Sequence, residues 1–114
     1  MKTILVVDDD ADVRDYAISV LEDFGYRVLS AGDGEAALSV LERDGKVDLL
    51  FTDVVMPGLD GFEVARRAKA SVPNLKVLFA SGYATDLTQA GRLLRKPYRP
   101  QQLATEVSAL LPSD

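Results

Sequence analysis

Apolar runs and helix-like patterns alternate along this chain from one end to the other. Residues 4–7 are a short run of Ile, Leu and Val, the pattern of a strand buried on both faces. Val13, Ala17, Val20, Leu21 and Phe24 then recur at the spacing of one helix face, and Gly25 is a natural stop. Residues 26–31 read as a second strand. Asp33 is placed to cap a helix that turns Ala37, Val40 and Leu41 inward and ends near Gly45. The run 47–52 is the most apolar and is expected near the middle of a sheet. After the turn Pro57-Gly58, Val64, Ala65, Ala68 and Val72 mark a third inward stripe. Residues 75–80 read as a fourth strand and Leu93-Leu94 as a short fifth. Pro100 suits the first turn of a final helix with Leu103, Val107, Leu110 and Leu111 inward.

Strands alternating with helices predict right-handed crossovers and a parallel sheet covered on both sides. No internal repeat, low-complexity tract or linker interrupts the pattern, so residues 1–114 are expected to form a single α/β domain. Ligands of such sheets bind beyond the carboxyl ends of the strands. Asp8 and Asp9 would close the first strand, Asp53 the third, Ser81 the fourth and Lys96 the fifth. Polar groups from four elements thus converge on one rim.

Composition narrows the chemistry. An apolar content of 47% supports a real core, and a net charge of −5 argues against a nucleic-acid partner, which would need a basic face. The absence of Cys excludes disulfides and thiolate metal sites. The absence of His excludes Ser-His-Asp catalysis, imidazole ligation and a phosphohistidine carrier role. Neither a signal peptide nor a membrane-length apolar stretch is evident, and a soluble, cytoplasmic protein is expected.

The stretch "VVDDDAD" at 6–12 crowds four carboxylates into seven positions. Carboxylates gathered at one rim raise each other's pKa unless a cation joins them. A hard divalent ion with oxygen ligands resolves the repulsion, and few carboxylates plus waters favour Mg²⁺. Asp8, Asp10 and Asp12 fit the first three EF-hand ligand positions, but Val13 and Ser19 stand where that loop needs Gly and Glu. A flavin-phosphate loop would be rich in Gly, Ser and Thr, whereas this one is anionic. A haloacid-dehalogenase phosphatase needs a second Asp where Val55 stands. Asp10 and Asp12 read as ordinary helix-start acids. Gly58 and Gly61 read as serving backbone geometry, and Tyr83 and Tyr98 as surface or partly buried aromatics.

Over nearly its whole length the chain resembles the receiver domain of two-component response regulators. The matching pieces are Asp8-Asp9, "TDVVMPGLDG" (52–61), Ser81 closing "FAS", and Lys96-Pro97. The resemblance implies a flavodoxin-like doubly wound sheet of five parallel strands in the order 2-1-3-4-5. It implies that Asp53 accepts a phosphoryl group from a histidine kinase or phosphotransfer protein. Mg²⁺ would be held by Asp9, Asp53 and the backbone carbonyl of Val55, with Asp8 bonding through water. Ser81 and Lys96 would bind phosphoryl oxygens, and the Lys96-Pro97 peptide would be cis. Such domains catalyse their own phosphorylation and dephosphorylation and are not enzymes acting on other substrates.

Two departures stand out. Receivers ordinarily carry an aromatic residue three positions before the lysine, where this chain has Leu93. The stretch from Ser81 to Lys96 leaves room for only a shortened fourth helix, and "LFASGYA" (78–84) is similar to the FAT GUY subgroup and to hybrid-kinase receivers. Residues 82–91 are therefore the expected switch element. A docking module indifferent to phosphorylation and a Mg²⁺-dependent phosphatase are the competing functions.

Overall fold

The computed structural model describes residues 1–82 and 92–112. Five strands, β1 (Thr3–Val7), β2 (Arg27–Ala31), β3 (Leu49–Asp53), β4 (Lys76–Ser81) and β5 (Arg92–Arg95), form one sheet. Their order is β2-β1-β3-β4-β5, and every neighbouring pair is parallel. The helices are α1 (Ala11–Asp23), α2 (Gly34–Arg43), α3 (Gly61–Ser71) and α4 (Pro100–Leu110). This is the expected flavodoxin-like, doubly wound arrangement. The shortened helix between the fourth and fifth strands, and the switch placed at 82–91, fall on 83–91 and lie outside the described residues. Among the described residues no helix is long and apolar enough to cross a membrane.

The period-two alternation of the strands sorts the core into two layers. Leu5, Val7, Leu50, Val77 and Phe79 face α2 and α3, meeting Ala37, Leu41, Val64 and Ala68. Ile4, Val6, Leu49, Phe51, Leu78 and Leu94 face α1 and α4, meeting Ala17, Leu21, Leu103 and Val107. Both faces of the central strands are therefore apolar, which is why the strands read as runs and not as alternations.

The helix ends follow side-chain chemistry. Asp10, Asp33 and Asp60 each cap a helix by accepting backbone N–H bonds from its first turn. Pro100 opens α4, as expected. Phe24 departs from the sequence pattern: it is 48% exposed and not on the buried face of α1. It is the C-cap, where the chain has left helical geometry, and Gly25 follows with a φ of 93°. Strand β3 begins at Leu49 and not at 47; Asp48 just before it already bonds to both sides, its N–H donating to Thr3 O at 2.8 Å and its carbonyl accepting from the Lys76 N–H at 3.1 Å. The Asp48 Oδ2 accepts from the Thr3 N–H at 2.8 Å.

Candidate functional site

The acids of the "VVDDDAD" stretch divide into two jobs. Asp10 caps α1, its Oδ1 accepting from the N–H groups of Asp12 and Val13 at 2.9 and 3.3 Å. Asp12 lies exposed in the first turn, so both are the helix-start acids the sequence implied. Asp8 is buried at the end of β1, and Asp9 beside it is exposed. The Asp8 carboxylate is held at both oxygens. Oδ1 accepts from the Asp10 N–H at 2.9 Å and Oδ2 from the Lys96 ammonium at 2.8 Å.

Asp53 ends β3 half-buried, with its Oδ1 3.4 Å from Lys96 Nζ. Its backbone is fixed from three directions. The Thr52 hydroxyl donates to the Asp53 carbonyl at 3.0 Å, the Val54 N–H to Ala80 O at 3.1 Å, and the Gly61 N–H to Val54 O at 2.8 Å. At Gly61 the contact is so close that a Cβ would lie 2.2 Å from the Asp53 carbonyl oxygen. That approach admits only glycine, which is the backbone role read for this residue.

Carboxylate oxygens of Asp8, Asp9 and Asp53 lie within 4.8 Å of one another. This all-oxygen, anionic set suits a hard divalent cation and offers nothing to a soft one. The three residues line an open cleft of about 880 Å³ together with Val55, Met56, Pro57, Gly82 and Lys96. Val55 is 55% exposed at its edge. Ser81 is buried at the end of β4, and its carbonyl accepts from the Lys96 N–H at 2.8 Å, tying the lysine to the fourth strand. The Lys96–Pro97 peptide is cis.

The charges are unequally matched. Burial pulls Lys96 down, but its bond to Asp8 and the charges of Asp8 and Asp53 lift it above the ordinary range, so it stays an ammonium. Burial pushes Asp53 up; Lys96 opposes this, and Asp8 and Asp9 add to it. Lys96 is thus stabilised chiefly by the nearer Asp8, which leaves Asp53 incompletely compensated.

Three residues around the site were not singled out as part of it by the sequence. Arg14, on α1, donates from Nη1 to the Asp8 carbonyl at 2.7 Å. Tyr98 is buried against Phe51 and Tyr16, at ring-centroid distances of 5.9 and 5.7 Å. Thr52 braces Asp53 from within β3. Of these, only Tyr98 carried a legible signal, an aromatic two residues beyond Lys96.

Residues 4–108 match the family profile described as the response regulator receiver domain. The chain is 36% identical to the response regulator receiver protein CpdR of Brucella abortus, over 97% of this chain and 98% of that protein. It is 37% identical to the sensor kinase CckA of the same organism over 96% of this chain, but spans only 12% of that kinase. Against several transcriptional regulators it spans about half of the relative's length. The crystal structure of the receiver domain from the hybrid histidine kinase CckA matches with a TM-score of 0.85 and 39% identity, covering 96% of this chain and 98% of that one. The response regulator TrrA of Thermotoga maritima, solved in complex with Mg²⁺-BeF, matches with a TM-score of 0.87 and 31% identity, covering 96% and 99%. With the fold, the acid cluster and these likenesses agreeing, the chain belongs to the response regulator receiver domain family.

Proposed function

We propose that this receiver takes a phosphoryl group onto Asp53 from a phosphohistidine on a histidine kinase or phosphotransfer protein. The observation that carries this reading is the position of Lys96 Nζ, 2.8 Å from Asp8 and 3.4 Å from Asp53, beside three clustered carboxylates. A cluster of that charge with a single ammonium is built for a further cation and an incoming anion. Mg²⁺ would be held by Asp9, Asp53 and the Val55 carbonyl, with Asp8 bonding through water, and when bound it would neutralise charge on the attacking and transferred oxygens.

The chain's own residues supply the remaining steps. Asp53 attacks phosphorus as the carboxylate; the P–N bond to the donor breaks and an acyl phosphate forms on its Oδ. Lys96 pairs with a phosphoryl oxygen as a point charge, drawing on the ammonium now shared by Asp8 and Asp53. The Ser81 hydroxyl, at the end of β4, donates to another. The protein acts as a signalling domain that catalyses its own phosphorylation and dephosphorylation, and phosphorylation alters its binding to a downstream protein. The likeness to a CckA receiver supports a kinase or phosphorelay donor.

Intact mass after incubation with acetyl phosphate and Mg²⁺ tests this reading. One phosphoryl group should add to the parent and none to Asp53→Asn, whose amide is not a nucleophile. No gain in the parent points to a docking module, and continuous phosphate release without accumulation points to a phosphatase. A phosphoryl group retained by Asp53→Asn would overturn the assignment of Asp53.

A further inference from the structure

Asp9 is the least supported of the three clustered acids. It is exposed, and among the described residues no hydrogen bond or ion pair holds its carboxylate. The point and angle at which its side chain leaves the backbone therefore rest on the peptide plane between Asp8 and Asp9. The carbonyl that defines this plane accepts from Arg14 Nη1 at 2.7 Å, a short, charge-assisted bond. One peptide earlier in the backbone, the Asp8 N–H donates to Ala31 O at 3.3 Å, so Asp8 is tethered to β2 on one side and α1 on the other.

The space for that guanidinium is provided by the loop after β2. A Cβ at Gly32 would meet Arg14 Nη1 at 3.3 Å and Cζ at 3.9 Å. Arg14 is half-buried, and among the described residues it makes no ion pair within 4 Å of a carboxylate. Its strongest directed contact goes to the one backbone oxygen that orients Asp9.

We infer that Arg14 is a positioning residue for the cation site. It holds the Asp8–Asp9 peptide plane so that Asp9 points at Asp53, and Gly32 keeps the guanidinium's place open. The inference rests on the reading of Asp8, Asp9 and Asp53 as a Mg²⁺ site. Outer partners that orient metal ligands change affinity by about 10–100-fold when removed.

The test is Mg²⁺ affinity of the full chain, by calorimetry and by NMR titration of the Asp9 and Asp10 amides. Arg14→Met should bind Mg²⁺ about tenfold more weakly. Gly32→Val, which crowds the guanidinium while leaving every residue of α1 unchanged, should weaken binding in the same direction. The double variant should be no weaker than Arg14→Met alone, since both remove one interaction. Without metal, exchange of the Asp10 amide should quicken in Arg14→Met. Affinity within twofold of the parent in a folded Arg14→Met overturns the inference and leaves the site reading intact. A parent that binds no Mg²⁺ overturns both. If Arg14→Met does not fold, Gly32→Val decides, and unchanged affinity there overturns the inference. Full recovery by Arg14→Lys with a neutral Gly32→Val shows an effect of charge alone and also overturns it.

Discussion

Replacing Gly61 by alanine places one methyl group where β3 and α3 meet most closely. The added Cβ would lie 2.2 Å from the Asp53 carbonyl oxygen and 3.0 Å from Val54 Cα. An ordinary contact begins near 3.4 Å, so backbone must move by roughly 1 Å, and no flexible side-chain end is available to give way. Overpacking of this kind costs about 1–3 kcal/mol. Alanine's helix preference recovers at most about 1 kcal/mol. A net loss of up to about 2–3 kcal/mol follows, which for a domain of this size lowers the melting temperature by up to roughly 12 °C. The displacement also falls on the proposed phosphoacceptor, because the Gly61 N–H bond to the Val54 carbonyl anchors the residue next to Asp53. Phosphoryl uptake from acetyl phosphate should therefore fall at temperatures where the variant is still fully folded. Thermal melts followed by circular dichroism, paired with mass spectrometry, read the two effects separately. A variant as stable as the parent with unchanged uptake would refute the argument that glycine is required by close approach.

Saturating Mg²⁺ should stabilise the parent by about 2.7 kcal/mol at one hundred times its Kd, and Asp9→Ala should lose most of that gain while keeping its metal-free stability; equal metal shifts in the two proteins would count against the site. Lys96→Met leaves the nearly buried Asp8 without its ammonium partner and should cost about 1–3 kcal/mol in metal-free buffer. Mg²⁺ should shrink that deficit, and denaturant melts with and without the ion would expose a deficit that does not respond. On α3, hydrogen bonds from Arg66 and Arg67 hold the partly exposed Glu63 carboxylate down at about 2. A depressed folded pKa means that this contribution is present above about 4.5 and is lost as pH falls towards about 2. An NMR titration should show the low midpoint moving up in a variant with both arginines replaced by methionine, and a midpoint already near 4.5 in the parent would contradict the pairing.

The strand ends were legible because position does the work there. Asp8, Asp9, Asp53 and Lys96 needed only a parallel sheet, read from its apolar runs, to be gathered at one rim. The braces around them were not legible, because each depends on a neighbour that only the folded backbone supplies. Gly61 was legible as a glycine serving the backbone, but not the carbonyl eight residues earlier that requires it, and Arg14 reaches a carbonyl across a turn whose shape the spacing does not specify. Phe24 shows the limit of periodicity from the other side. It keeps helical spacing with Leu21 and Val20, yet the helix ends first and the ring swings into solvent.

Leu93 shows the same limit at the strand where the family ordinarily keeps an aromatic. The sequence identifies the departure but not what surrounds it. In the fold, Leu93 pairs in register with Phe79 and packs on the α2–α3 side, where Phe79 already meets Phe62 at 5.0 Å. A buried aromatic that does feel the charges of Asp8 and Asp53 is Tyr98, on the opposite side of the sheet with Phe51 and Tyr16. Burial first, and then the charge of Asp8, push its phenol well above the ordinary range, so the ring stands as a neutral wall beside the anionic cluster. Its backbone carbonyl accepts from the Tyr16 hydroxyl at 3.2 Å, which links the residue after Lys96-Pro97 to α1. The aromatic bulk beside this site is therefore joined to the lysine through Pro97 and leans on the first helix, while the fifth strand contributes an aliphatic side chain to the other layer. A change in charge at Asp53 is therefore felt by that wall and by the Lys96 ammonium, and the fifth strand carries no ring to feel it.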